Sequence, residues 1–173
     1  MRNLRKNFAW FFIGCLLFAA VFVWVAVFQV EASGGLLSVY FFDVGQGDGI
    51  LIETPSGNQV LIDGGPDAAI LSKLGGVLPF WDRSIDVLML THPHADHVTG
   101  ALEVLKRYDV GMIIESGVNH SIAEYDEWHS LIRERNIPVH IVEAGERINF
   151  GDGAYFDIYS PFEPHAGESP KNV

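Results

Sequence analysis

Cysteine is nearly missing from this chain: of 173 residues one is Cys, and that one, Cys15, sits inside an apolar run near the start. A disulfide framework is therefore excluded for everything downstream, and so is any metal site built on thiolates. Whatever metal chemistry the sequence carries must use imidazoles and carboxylates. Positive charge is scarce as well. Eleven Lys and Arg face 22 Asp and Glu, for a formal charge of −11. Three of the eleven, Arg2, Arg5 and Lys6, crowd the first seven residues, which leaves 8 cations against 22 anions and a balance of −14 for the rest. A chain this acidic lacks the basic face that grips nucleic acid nonspecifically through phosphates.

What is present divides into two parts. From Phe8 to Val30 the only strongly polar side chain is Gln29, and at about 1.5 Å per residue such a helix spans roughly 35 Å. The reading is a basic N-terminus over 1–7, a single transmembrane helix over 8–30, a small-residue linker over 31–35 and a domain over 36–173. The basic residues precede the helix and none follows until Lys73, which predicts a cell-membrane protein with the N-terminus inside and the domain extracellular or periplasmic. Val30-Glu31-Ala32 also has the small-residue pattern of a cleavage site, so secretion after signal cleavage stays open as the alternative.

Within the domain, Ser38–Asp43, Gly49–Glu53 and Gln59–Asp63 read as strands, the last two joined through Thr54-Pro55-Ser56-Gly57-Asn58 at hairpin length and so antiparallel. Helices and strands then alternate. The pattern predicts a helix over Asp67–Leu74, a strand over Val87–Leu90, a helix over Thr99–Tyr108 and a strand over Gly111–Glu115. A helix over Ser121–Arg135 follows, opened by a Ser121-Ile122-Ala123-Glu124 capping box, then strands over Val139–Val142, Arg147–Phe150 and Ala154–Tyr159. The class is α/β.

The chemistry concentrates in Thr91-His92-Pro93-His94-Ala95-Asp96-His97, between the apolar strand and the next helix. A loop at a strand end can aim several side chains at one point, and neutral imidazole with carboxylate suits zinc and similar divalent ions. A polar loop that merely caps the next helix would leave this density of ligand-type groups unexplained. The remaining histidines sit in no ligand motif: His129 lies mid-helix among charges, His140 alternates with apolar strand residues, and His120 and His165 fall in loops.

These residues resemble the signature of metallo-β-lactamase-fold hydrolases. Together with Phe42-Asp43-Val44-Gly45-Gln46-Gly47-Asp48 and Leu61-Ile62-Asp63-Gly64-Gly65, they are similar to successive motifs of the extracellular domain of ComEC-type competence proteins. The resemblance implies an αββα sandwich of two similar halves, of which this chain supplies mainly the N-terminal one, because family members continue to a Gly-Asp and a further His beyond the position of Val173. It implies that His92 and His94 hold one metal ion, that Asp96 and His97 hold a second, that Asp96 is the catalytic carboxylate, and that Asp63 buttresses the loop while Asp43 and Asp48 border the site. Two zinc ions are the expected cofactors, with manganese as the alternative. The implied activity is metal-dependent hydrolysis of a phosphodiester, with DNA and a role in competence as the natural extension. Two other classes stay open: a catalytically incomplete module with a structural role, its bare sheet face covered by a partner, and a hydrolase of another ester or lactone.

Overall fold

A computed structural model describes residues 2–32 and 35–161, with side chains of the first helix described over 10–25. The chain forms two compact units, Met1–Gly35 and Leu36–Val173. The first holds α1 (Arg2–Ala32), whose described side chains run from Trp10 to Val25 and stand exposed. Among the described residues no helix is long and apolar enough to cross a membrane. This corrects the transmembrane span expected over Phe8–Val30, and the membrane localisation and orientation drawn from it fall too. Part of the expected linker, and His165, lie outside the described residues.

In the second unit β1 (Ser38–Phe41), β2 (Ile50–Glu53), β3 (Gln59–Ile62), β4 (Ser84–Leu90), β5 (Asp109–Glu115) and β6 (Val139–Ile141) form one sheet in chain order. The first three strands pair antiparallel, as the short 54–58 turn requires, and β3 through β6 run parallel. Parallel neighbours need crossovers, supplied by α2 (Ala69–Val77), α3 (Ala95–Arg107) and α4 (Ala123–Arg135). β7 (Arg147–Asn149) and β8 (Tyr155–Asp157) make a separate antiparallel hairpin.

The pairing register sorts side chains onto two faces. Tyr40, Leu51, Leu61, Leu88, Ile113 and Leu90 share the face toward the helices and join the main core with Ile70, Leu74, Val98, Ala101, Leu105 and Trp128. On α3, buried His97, Val98, Ala101, Leu102, Val104 and Leu105 recur at helical spacing, with Asp96 in the first turn and Lys106 and Arg107 in the last, where each charge suits the helix dipole. The opposite face carries Val39, Phe41, Ile50, Ile52, Val60, Ile62, Val87, Met89, Met112 and Ile114. Strands apolar on both sides belong to a sheet covered on both sides.

The β7–β8 hairpin supplies part of that cover. It starts beside β6, where His140 Nε2 lies 2.8 Å from Glu146, and its Asp152 accepts hydrogen bonds from the Ser56 backbone N–H (3.0 Å) and hydroxyl (2.7 Å) in the β2–β3 turn. Because the helices occupy one face, a hairpin reaching from β6 to that turn must cross the other. Val60 and Ile114 there are fully buried, whereas Phe41 at the β1 edge remains 77% exposed.

Two expected local features differ. Helix α4 begins at Ala123 with Ile122 as its N-cap and no side-chain cap bond, so the Ser121–Glu124 box does not form. Helix α3 begins at Ala95, four residues before the expected Thr99, because His94 already has the extended backbone of an N-cap. Asp96 and His97 are therefore helical.

The sheet and α3 meet through glycines. Gly64 N–H donates to the His97 carbonyl and Gly100 N–H to the Gly65 carbonyl, both at 3.0 Å. A Cβ on Gly100 would lie 1.8 Å from the Gly64 carbonyl oxygen, a distance that backbone cannot tolerate. Gly100→Ala is expected to destabilise the domain by about 1–3 kcal/mol or more through overpacking. Gly75→Ala on α2, where a Cβ meets open space, should be neutral or stabilising by up to about 1 kcal/mol. Urea melts of the two variants check the contrast.

Candidate metal centre

The C-terminal ends of the parallel strands are where open α/β sheets gather ligands, and three of them deliver the polar groups here. Asp63 follows β3, Thr91 and His92 follow β4, and the segment carrying His120 follows β5. Asp63 is 1% exposed and adopts φ +56°, a left-handed conformation uncommon for a residue with a side chain. Its own N–H donates to the Met89 carbonyl at 2.9 Å, fixing the turn.

The Asp63 carboxylate organises the histidine segment. Oδ1 accepts the Thr91 N–H at 2.9 Å, and Oδ2 accepts the Thr91 hydroxyl at 2.6 Å. His97 Nδ1 lies 2.9 Å from the same Oδ2. A carboxylate can only accept, so His97 must carry its proton on Nδ1, which leaves Nε2 with a free lone pair. A second tautomer follows by the same logic. The Thr91 hydroxyl has given its proton to Asp63 and can only accept from His92 Nδ1, 2.9 Å away. His92 then also presents a bare Nε2. One carboxylate thus prepares two imidazoles as ligands, in the way that carboxylate–histidine pairs raise ligand basicity around metal ions.

The rings converge. His92 and His97 have centroids 4.0 Å apart, His92 and His94 4.6 Å apart, and Asp96 Oδ1 stands 4.0 Å from His97 Nε2. Asp48, Asp63 and His97 each bring one donor atom within 4.8 Å of the others. With nitrogen and oxygen donors at this separation the site fits a small divalent cation. Asp63 already accepts three hydrogen bonds, so its clearer part in that cluster is to hold His97, leaving Asp48, exposed at the mouth, as the carboxylate facing solvent.

Electrostatics follow the same geometry. The Asp63 hydrogen bond raises the pKa of His97 above the ordinary imidazole value, against its burial, while burial first and then the neighbouring His97 and His94 charges lower that of His92.

Of the residues expected at the site, His92, His94, Asp96 and His97 come together and Asp63 and Asp48 join them. Asp43 does not: its Oδ1 accepts the Gly45 N–H at 3.2 Å and shapes the turn. The tight 43–48 turn nonetheless belongs to the site through Gly47, where a Cβ would lie 1.9 Å from the Asp96 carbonyl oxygen. Among the histidines without a motif, His129 packs its ring 4.4 Å from that of Tyr125. His140 is exposed and pairs with Glu146, a polar role where alternation with apolar residues suggested packing. His120 lies against His94, with centroids 5.5 Å apart. Sequence reasoning gave it no role, and its spacing in the chain offers no signal that would have found it.

A family model for the metallo-beta-lactamase superfamily matches residues 42–167. A 56-residue stretch is 45% identical to ribonuclease Z of Aeropyrum pernix, covering 32% of this chain and 17% of that protein. Similar solved structures include Rm3 metallo-beta-lactamase (21% identity, TM-score 0.45, 72% of this chain and 49% of that one). Another is the metallo-beta-lactamase fold protein YhfI from Bacillus subtilis (21% identity, TM-score 0.40, 60% and 41%). The chain thus spans about half or less of the length of these proteins.

Asp63→Asn tests the hub. His97 has a raised folded-state pKa, so its contribution to stability is complete below the unfolded value of about 6.5 and is lost as pH rises through the folded one. The variant should lose about 1.5–3 kcal/mol, more in acid than in alkali, and an NMR titration should show the His97 pKa falling. An unmoved His97 titration would contradict the assignment.

Proposed function

This chain belongs to the metallo-beta-lactamase superfamily, and from that premise we propose that it is a divalent-metal-dependent hydrolase whose substrate class is the phosphodiester. The observation that carries the reading is the pair of imidazoles, His92 and His97, whose Nδ1 protons are committed through Asp63 and whose Nε2 atoms are left free beside His94 and Asp96. Residues arranged so serve ligation better than packing, because satisfying a buried Asp needs only one of these partners.

In this reading His92 and His94 hold one cation, and Asp96 and His97 hold a second. A bound divalent cation supplies Lewis acidity and a water of lowered pKa, able to attack an ester at neutral pH. The remaining work falls to the chain. Asp63 keeps both histidines in the ligating tautomer, Asp96 would supply a carboxylate beside His97 Nε2, and exposed Asp48 would add a second one from the solvent side. Zinc suits the three imidazoles, and manganese suits phosphodiester chemistry.

The phosphodiester choice draws support from the relative named ribonuclease Z, over the stretch it shares with this chain. The acidic balance of the chain sets a limit on it: binding of a polyanion would have to rest on the cations and not on a basic surface. DNA uptake at a membrane drops out together with the membrane span.

A second reading has its own observation, the apolar sheet face that the β7–β8 hairpin only partly covers. There the chain is a metal-binding module that turns over no substrate until another polypeptide completes its cover.

Metal-stripped protein should take up about two Zn²⁺ or Mn²⁺ per chain, and His92→Ala combined with His94→Ala should lose at least one of them. Hydrolysis of bis(p-nitrophenyl) phosphate should depend on the added metal and fall at least about 100-fold in the double variant, the scale set by loss of a metal's charge stabilisation. Protein that takes up no metal would defeat both readings; metal uptake without hydrolysis would leave the second.

A further inference from the structure

We propose that the free edge of β1 is a self-pairing surface, on which a second copy of this chain adds its own β1 antiparallel about a two-fold axis at Val39. The surface is separate from the metal centre, and the proposal goes beyond the hydrolase reading without depending on it. The starting observation is where the main chain of β1 points. β1 pairs with β2 on one side only and ends the six-stranded sheet. Phe42 N–H donates to the Gly49 carbonyl at 2.9 Å, so in this antiparallel register Ser38 and Tyr40 also turn their N–H and C=O groups toward β2. Val39 and Phe41, and Leu37 just before the strand, then turn theirs outward, where no other described strand takes them.

This edge carries none of the features that keep sheet edges apart. Leu36-Leu37-Ser38-Val39-Tyr40-Phe41-Phe42 holds no charge, no proline and no glycine. Leu37, Val39 and Phe41 are 55%, 44% and 77% exposed. The opposite edge of the sheet differs. There β6 has three residues, follows Pro138 and leads into Glu143 and Glu146, the second of them paired with His140. Short length, proline and charge each discourage pairing, and β1 has only its short length.

What selects a second copy as the occupant is the register. A two-fold axis at Val39 sets Val39 against its own copy, Leu37 against Phe41 and Phe41 against Leu37. All of these point their main-chain groups outward, so each pair exchanges two hydrogen bonds, about six in total. Val39 and Phe41 share the sheet face away from the helices, and Leu37 continues their alternation, so every pair on that face is apolar. On the other face Ser38 meets Tyr40, hydroxyl beside hydroxyl. Asp43, the first charge after the strand, falls opposite Gly35, so no like charges meet along a seam between two chains of formal charge −11. Moving the axis to Phe41 would set Asp43 against Val39, and moving it to Leu37 would set Val39 against Gly35. Only the axis at Val39 matches apolar with apolar along the whole strand.

The test uses the full chain with Cys15→Ser, so that an introduced thiol is the only one, in a mild detergent that masks the exposed apolar side chains of α1. A hydrogen-bonded antiparallel pair sets its Cα atoms about 5.5 Å apart, inside the disulfide range of roughly 4.4–6.8 Å. Val39→Cys should therefore cross-link to its own copy under mild oxidation at about 50–100 µM protein, the concentration suited to so small an interface. In the same register Phe41 lies four residues, about 14 Å, from its own copy. Phe41→Cys alone should cross-link at least about tenfold more slowly than Val39→Cys, yet rapidly when mixed with Leu37→Cys. Adding Val39→Pro to both partners of that mixture removes an outward N–H and leaves the bonds to β2 intact, and it should slow the mixed reaction at least about tenfold. Equal rates for Val39→Cys and Phe41→Cys, or no cross-linked dimer through Val39→Cys, overturn the proposal. So does a mixed reaction that Val39→Pro leaves unchanged.

Discussion

Everything at this site hangs on one buried carboxylate. Asp63 is held in a left-handed backbone conformation and accepts a backbone N–H, a hydroxyl and an imidazole N–H. A lone buried carboxylate would cost several kcal/mol, and these three donors offset that cost. They also tie β3, β4 and α3 together at the point where three elements must agree. The consequence for chemistry is indirect but strong. Because the proton positions on His97 and His92 follow from what Asp63 can accept, the ligating nitrogens are set before any cation arrives.

Such a hub works only if the backbones can approach. Gly64 and Gly100 stand so close that neither admits a side chain, and the hydrogen bonds from Gly64 to His97 and from Gly100 to Gly65 run directly between the β3 turn and the first two turns of α3. Gly47 does the same for the turn after β1, bringing it against Asp96. The glycines are therefore part of the candidate metal centre in a mechanical sense: they bring carboxylates and imidazoles from distant sequence positions to within hydrogen-bond reach. The Asp-rich turn over 43–48 serves in two ways, Asp43 by bonding its own turn and Asp48 by facing the cluster.

How much of this could be read from residues alone varied with the range of the interaction. The strands and the 59–63 hairpin partner were legible because alternation and turn chemistry are local. The histidine segment was legible because its ligand types lie within six positions. The start of α3 was not: the segment up to Thr99 reads as a loop at a strand end, but His94 closes it by adopting an extended N-cap, which puts Asp96 and His97 on the first helical turn. The Ser121–Glu124 box has the right residues, yet the chain enters α4 one position later, because the neighbouring residues Tyr125 and Trp128 are drawn into the core. The apolar run near the N-terminus is a different case: its composition reads as a membrane span, yet among the described residues no helix is long and apolar enough to cross a membrane. His120 was beyond reach for a different reason. Its partner is 26 positions away, and only the parallel pairing of β4 with β5 makes them neighbours.

That pairing also explains why acidity and metal chemistry coexist in one chain. Parallel strands deliver their C-terminal ends to a single edge, so Asp63, the His92 segment and the His120 segment meet whatever the net charge elsewhere. At distances beyond about 10 Å the surface carboxylates are screened by salt, while inside the cluster each imidazole lies within one ring diameter of the next. Local donors then govern what binds, and the surrounding negative field favours cations over anions. On the reading proposed above, an acidic chain of this kind takes its cations first and its anionic substrate second, through the cations. The order is set by where the sheet places its histidines, with Asp63 fixing how they point.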